Sequence, residues 1–140
     1  MVISLGQACS CATTLIQCNL RRAAYPFDWL YGSDLNGRVN FVVNDFENFL
    51  EKEDLKHTGD RESPMPCKIF KNTRSNIVFN HDFPLSMTLD ESFPSVKEKY
   101  NRRINRLYAN IKQTEKVLFV YIEVPDIDNP EESFETLTVQ

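Results

Sequence analysis

Apolar positions in this chain fall into short runs separated by polar turns, and the spacing inside each run sets the element it predicts. Val2, Ile3 and Leu5 form a brief buried strand that Gly6 ends. Ala12, Leu15 and Ile16 recur at helical spacing, so a helix runs to about Asn19, with Ser10 as its cap. Tyr25-Pro26-Phe27-Asp28-Trp29-Leu30 is the densest aromatic segment; Pro26 breaks the preceding helix, and the segment, Trp29 included, is expected in the core. Ser33 or Asp34 opens a second helix, with Val39, Val42, Val43, Phe46, Phe49 and Leu50 on one face. Residues 51–66 are charged and broken by Gly59, Pro64 and Pro66, which reads as a surface loop.

Further on, residues 67–71 and 77–79 are short β-like runs around a turn-rich link, a hairpin pattern. Residues 87–94 read as a second loop. Ser95 and Glu98 make a capping-box pattern for the clearest helix, whose buried stripe is Val96, Tyr100, Ile104, Leu107, Tyr108 and Ile111. The run from Val117 to Ile122 is apolar on both faces, as inside a parallel sheet. Strands alternating with helices favour one α/β domain over residues 1–140, layered and mainly parallel. Residues 126–140 form an acidic tail with no convincing element, and it stops where a further helix and strand would follow. The domain is therefore expected to be incomplete at its C-terminus.

Composition narrows the function classes. Phe, Ile, Leu and Val make 40 of 140 residues, enough for a folded core. A net charge of -4 argues against a nucleic-acid surface, which needs clustered positive charge. The apolar run at Val117 is too short to cross a bilayer, and the N-terminus has no basic residue before Arg21, so neither a membrane span nor a secretory signal is expected. Four cysteines are too few for a disulfide scaffold, which points to thiols in a reducing cytoplasm. Cys9-x-Cys11 lacks the paired CxxC spacing of a zinc site, so no metal and no cofactor are expected.

Cys9 carries the most chemical interest. It follows a strand and a glycine turn at a helix N-terminus, where backbone N–H groups and the helix dipole favour an anion. A thiol so placed loses its proton more readily, and the amides around Gly6, Gln7 and Ser10 can hold an oxyanion. The plainer alternative is a buried thiol that only packs. His81 ends a strand beside Asp82, and serves either as a general base or as a strand-end hydrogen bonder. A third, orienting group is open among Asp28, Asp82 and Glu123. Arg102 and Arg103 either form a solvated helix face or hold an anionic substrate group.

Five segments taken in order resemble a known family: Ile3-Ser4-Leu5-Gly6-x-x-Cys9, Tyr25-Pro26-Phe27-Asp28-Trp29-Leu30, Phe79-x-His81-Asp82-Phe83, Glu98-Lys99-Tyr100-x-Arg102-Arg103-Ile104 and Val117-Leu118-Phe119-Val120. The family is described as "putative papain-like cysteine peptidase". The resemblance spans residue 3 to about residue 123, and Tyr121 stands where it leads one to expect an arginine. It implies a thiol nucleophile at Cys9 and a histidine base at His81. A papain-type nucleophile has no strand leading directly into it, whereas residues 2–5 lead into Cys9, so the expected fold is Rossmann-like or SGNH-hydrolase-like. Two functions compete. One is a cysteine hydrolase or acyltransferase acting on a small-molecule, peptide or acyl substrate. The other is a non-catalytic domain that binds an anionic small molecule at the same turn, a dead family remnant included.

Overall fold

β1 (Val2–Gly6) enters the core within two residues of the N-terminus, and four of its five residues are buried. The structure, a computed structural model, describes residues 1–123. The acidic tail at 126–140 lies outside the described residues. β1 hands the chain to α1 (Ala8–Gln17), which buries Ala8, Cys11, Ala12 and Leu15. The cap differs from the sequence expectation: Gln7 is the N-cap residue, and the Ser10 hydroxyl donates back to the Gln7 carbonyl at 2.9 Å. A serine inside the first turn can satisfy a backbone carbonyl as readily as it can cap.

α2 (Leu35–Val43) does start at Asp34, whose carboxylate accepts from the Gly37 N–H at 2.8 Å. Its expected apolar face is split. Val39 and Val43 are 41% and 66% exposed, while Phe46, Phe49 and Leu50 reach the core only after the helix has ended. Asp45, Phe46 and Asn48 hold positive φ angles, so the chain turns there rather than continuing as helix.

A 3-10 turn at Lys52–Asp54 leads into β2 (Leu55–Arg61), which pairs antiparallel with β3 (Cys67–Asn72), and β3 pairs antiparallel with β4 (Val78–Pro84). The segment read as a surface loop thus carries a strand. β2 is an edge strand with mostly exposed side chains, so nothing required the apolar alternation that reveals strands. α3 (Leu89–Gln113) begins six residues before Ser95. Thr88 and Glu91 make the capping box, and Pro94 lies inside the helix, where it forgoes one i→i−4 bond. Val96, Tyr100 and Leu107 of α3 are buried.

β5 (Leu118–Tyr121) returns beside β1 in parallel, pairing Val2 with Leu118 and Ile3 with Phe119. The ladder continues beyond the strand through Gln7 N–H to Ile122 O at 2.9 Å and Ile122 N–H to Gly6 O at 2.7 Å. β5 was expected to be covered on both faces, yet Leu118 is 60% and Phe119 39% exposed. Its only described sheet partner is β1. The chain is therefore mixed α/β, with a two-stranded parallel sheet and a larger antiparallel one rather than a mainly parallel array. Between them lies an aromatic core. Phe49 meets Phe27, Phe79 and Tyr100 edge-on at centroid distances of 5.9, 5.9 and 5.5 Å, the arrangement ring quadrupoles favour.

Candidate active site

The turn that presents Cys9 is held from beneath. Gly6 sits at φ +94°, and a Cβ there would come within 2.2 Å of the Arg38 guanidinium, so only glycine fits. Arg38 is wholly buried. It donates to four carbonyls: Leu5 at 2.7 Å, Leu30 at 3.0 Å, Gly32 at 2.6 Å and Ser33 at 3.2 Å. Burial lowers its pKa to about 10, still charged at neutral pH. The Ala8 N–H bonds the same Leu30 carbonyl at 3.0 Å. The end of β1 and residues 30–33 are thereby tied into one unit. Ala8 holds φ +59°, a conformation costing roughly 1–3 kcal/mol for a non-glycine residue, immediately before Cys9.

Cys9 lies in the first turn of α1 and is half-buried. Its sulfur is 3.9 Å from the Tyr31 hydroxyl. Tyr31 is fixed by two backbone bonds to Val78 of β4, at 3.2 and 2.9 Å. Burial pushes the Tyr31 phenol pKa up, and the Cys9 contact adds to this, against smaller opposing effects of Asn80 and Arg61. The phenol therefore keeps its proton at neutral pH and can donate it. Asn80 neighbours that hydroxyl, and its side-chain oxygen is buried without a hydrogen-bond partner.

β4 is irregular at this point. Phe79 pairs with Phe70 and Phe83 with Lys68, so one β3 residue faces three of β4, namely Asn80, His81 and Asp82. Such bulges re-aim side chains beside functional sites. His81 meets the Arg61 guanidinium through both ring nitrogens, Nδ1 to Nη2 at 3.1 Å and Nε2 to Nη1 at 3.4 Å. The Trp29 ring stands edge-on to His81 at 6.5 Å. Burial lowers the His81 pKa, and Arg61 and Lys99 lower it further against Asp82. His81 is a neutral imidazole at pH 7, the form a base requires.

A family model described as "Putative papain-like cysteine peptidase" matches residues 1–138. The chain belongs to this family. It is also 28% identical over 152 aligned residues to an uncharacterized protein of Acanthamoeba polyphaga mimivirus, covering 98% of this chain and 68% of the viral protein. No solved structure matches.

Within this family member, the residues expected at the site are distributed unevenly. No hydrogen bond joins Cys9 to His81 among the described residues; both adjoin the group formed by Tyr31, Asn80 and Arg61. Asp82 follows His81 but turns to α3, paired with Lys99 and accepting from Tyr100 Oη at 2.9 Å. Asp28 is buried, and its Oδ2 accepts from Arg21 at 2.7 and 3.0 Å and from the Tyr25 N–H at 3.0 Å. Its Oδ1 is buried without a partner, and burial is the main cause that raises its pKa. Asp28 holds Arg21, which lies 5.7 Å over Trp29, the ring that stands edge-on to His81. Glu123 is exposed and borders a groove with Leu35, Val39 and Phe119. Arg102 pairs with Glu98, and Arg103 lies 5.5 Å over Tyr100.

The oxyanion amides are fewer than expected. The N–H groups of Gly6, Gln7 and Ala8 bond Ser4 Oγ, Ile122 O and Leu30 O. The Cys9 and Ser10 amides remain, and first-turn amides have no intrahelical acceptor. Cys11 diverges from Cys9, donating to Val120 O at 3.3 Å, and Cys67 donates to Asn80 O at 2.8 Å. Among the described residues, no three His, Cys, Asp or Glu side chains cluster to hold a metal.

Sequence reasoning missed Tyr31, Arg61, Asn80 and Arg38. Tyr31 carried one signal, a polar-tipped ring just past the aromatic segment. Arg61 lay in the stretch read as loop. Trp29, expected in the core, is only half-buried between Arg21 and His81, while Tyr25, Phe27 and Leu30 around it are in the core.

Proposed function

We propose that this protein is a cysteine-nucleophile hydrolase or acyltransferase acting on amide or ester bonds of a small peptide or acyl substrate. The observation that carries the proposal is Cys9 in the first turn of α1, behind the Gly6 turn, with the Tyr31 hydroxyl 3.9 Å from its sulfur. β1, its turn and α1, with β5 parallel beside β1, supply the nucleophile-bearing unit of a Rossmann-like or SGNH-hydrolase-like arrangement. Four free thiols suit a reducing compartment such as the cytoplasm.

In the reaction, Cys9 Sγ bonds to the carbonyl carbon as its proton passes to neutral His81. The carbonyl π pair moves onto oxygen, held by the Cys9 and Ser10 amides and the Tyr31 hydroxyl. Collapse expels the amine or alcohol, which takes the proton from His81 and leaves a thioester on Cys9. A water molecule, giving its proton to His81, attacks the thioester. Its collapse returns that proton to the sulfur and releases the acid. Asp28 is a positioning residue that acts through Arg21 and Trp29.

Cys18 provides an internal control, since it is an exposed thiol in the same chain. Under iodoacetamide at pH 6, peptide mapping should find Cys9 labelled faster than Cys18 despite its lower exposure. Faster labelling at Cys18 would refute the nucleophile and leave an anion-binding turn as the better reading.

A further inference from the structure

We infer that Arg61 anchors a carboxylate of the substrate beside the bond that Cys9 attacks. The inference rests on the nucleophile reading and names the substrate class it serves. Arg61 ends β2, with its two terminal guanidinium nitrogens against the two ring nitrogens of His81. Of the five guanidinium N–H groups, two point at the His81 ring nitrogens, the Nε–H reaches the Met65 carbonyl at 3.4 Å and the group also neighbours the Cys67 thiol, which leaves at least one N–H for a ligand. No acidic side chain pairs with Arg61 among the described residues, whereas Arg21, Arg74 and Arg102 have Asp28, Asp54 and Glu98. Arg22, Arg38, Arg103 and Arg106 also lack an acid, but Arg38 is saturated by four carbonyls, Arg103 lies over Tyr100, Arg106 donates to the Ala24 carbonyl, and neither Arg22 nor these three touches His81. Arg61 thus offers an uncompensated, partly buried positive charge with N–H capacity left for a carboxylate.

A second observation lies next to it. The Asn80 side-chain oxygen is buried with no partner, on the amide whose other end neighbours the Tyr31 hydroxyl that touches Cys9. An acceptor there suits a substrate N–H. A donor and a carboxylate on one ligand describe a peptide or acylated amino acid. The carboxylate is either an acidic side chain or a free C-terminus. Its arrival would also offset the positive charge that weakens His81 as a base, so the substrate would strengthen its own catalyst.

The test compares two reagents of nearly equal size, anionic iodoacetate and neutral iodoacetamide, on the full chain. The rate ratio of iodoacetate to iodoacetamide at Cys9 should exceed that at Cys18 by about tenfold, the scale of one charge-assisted contact. Arg61→Gln should bring the Cys9 ratio down to that of Cys18, and Arg61→Lys should keep part of the excess. The ratio cancels any change in the thiol itself, and the wild-type comparison needs no variant to fold. Protection of Cys9 by N-acetylglutamate α-amide would identify a side-chain carboxylate, and protection by N-acetylalanine a C-terminal one. Equal ratios at Cys9 and Cys18, with Cys9 still faster toward iodoacetamide, would overturn the anchor alone. A Cys9 slow toward both reagents would overturn the nucleophile and the anchor together.

Discussion

At the Cys9 sulfur the described polar neighbour is a phenol, and at His81 it is a guanidinium, so each member of the expected pair is held by a residue the sequence did not single out. Cys9 was legible because a strand, a glycine and a helix start leave a sequence trace, whereas His81, expected at a strand end, lies within β4 at its bulge, because the strand runs on to Pro84. Tyr31, Asn80 and Arg61 were not, since a bulge and an edge strand bring them together and neither has a local signature. His81 gives a prediction with a definite sign. Its folded pKa lies below the ordinary 6.5, so protonation is disfavoured in the native state. The stability it contributes is present above 6.5 and lost as pH falls through the lowered value. NMR titration should place its midpoint below 6.5, and Arg61→Gln should move it upward by removing one positive neighbour. An unmoved midpoint would show that the guanidinium is not on the ring. Tyr31→Phe keeps the ring and removes the donor; it should lower substrate turnover by about 10²-fold, the scale of losing one oxyanion donor, with little change in melting.

Two element starts test the fold against the sequence. Thr88-x-x-Glu91 and Ser95-x-x-Glu98 carry the same capping pattern, and only packing chose between them. Thr88→Ala should cost about 1 kcal/mol in urea unfolding, while Ser95→Ala, inside the helix, should fall within about 0.5 kcal/mol of wild type. The opposite order would put the helix start at Ser95. The turn under Cys9 makes a stronger claim. Arg38→Met would leave the carbonyls of Leu5, Leu30, Gly32 and Ser33 without their donor, at about 1–3 kcal/mol for each one kept from water. A total loss of at least about 3 kcal/mol is expected, and a loss below about 1 kcal/mol would show that the turn holds itself. A buried arginine bound to backbone carbonyls is invisible in sequence, because its partners carry no side-chain identity.

Across the whole molecule, the aromatic core and the site meet along β4, where Phe79 and Phe83 are buried in the core and His81 faces Arg61 and Trp29. The core was largely legible from its apolar spacing, though the antiparallel sheet was read only as a hairpin. Phe49→Ala should cost about 3–5 kcal/mol, as for a fully packed ring. Trp29→Ala should cost less, under about 3 kcal/mol, and should alter Cys9 labelling, because this ring rests on His81 and Arg21 rather than in the core. Equal losses for the two would return Trp29 to the core.

The central claim is that Cys9 and His81 work as one unit, and the pH dependence of Cys9 alkylation by iodoacetamide tests it most directly. In the wild-type protein the rate should rise through a midpoint below 6.5, set by His81. In His81→Ala the rise should move upward by at least about one pH unit, toward the roughly 8.5 of an ordinary thiol. Superimposable profiles for the two proteins would contradict the claim.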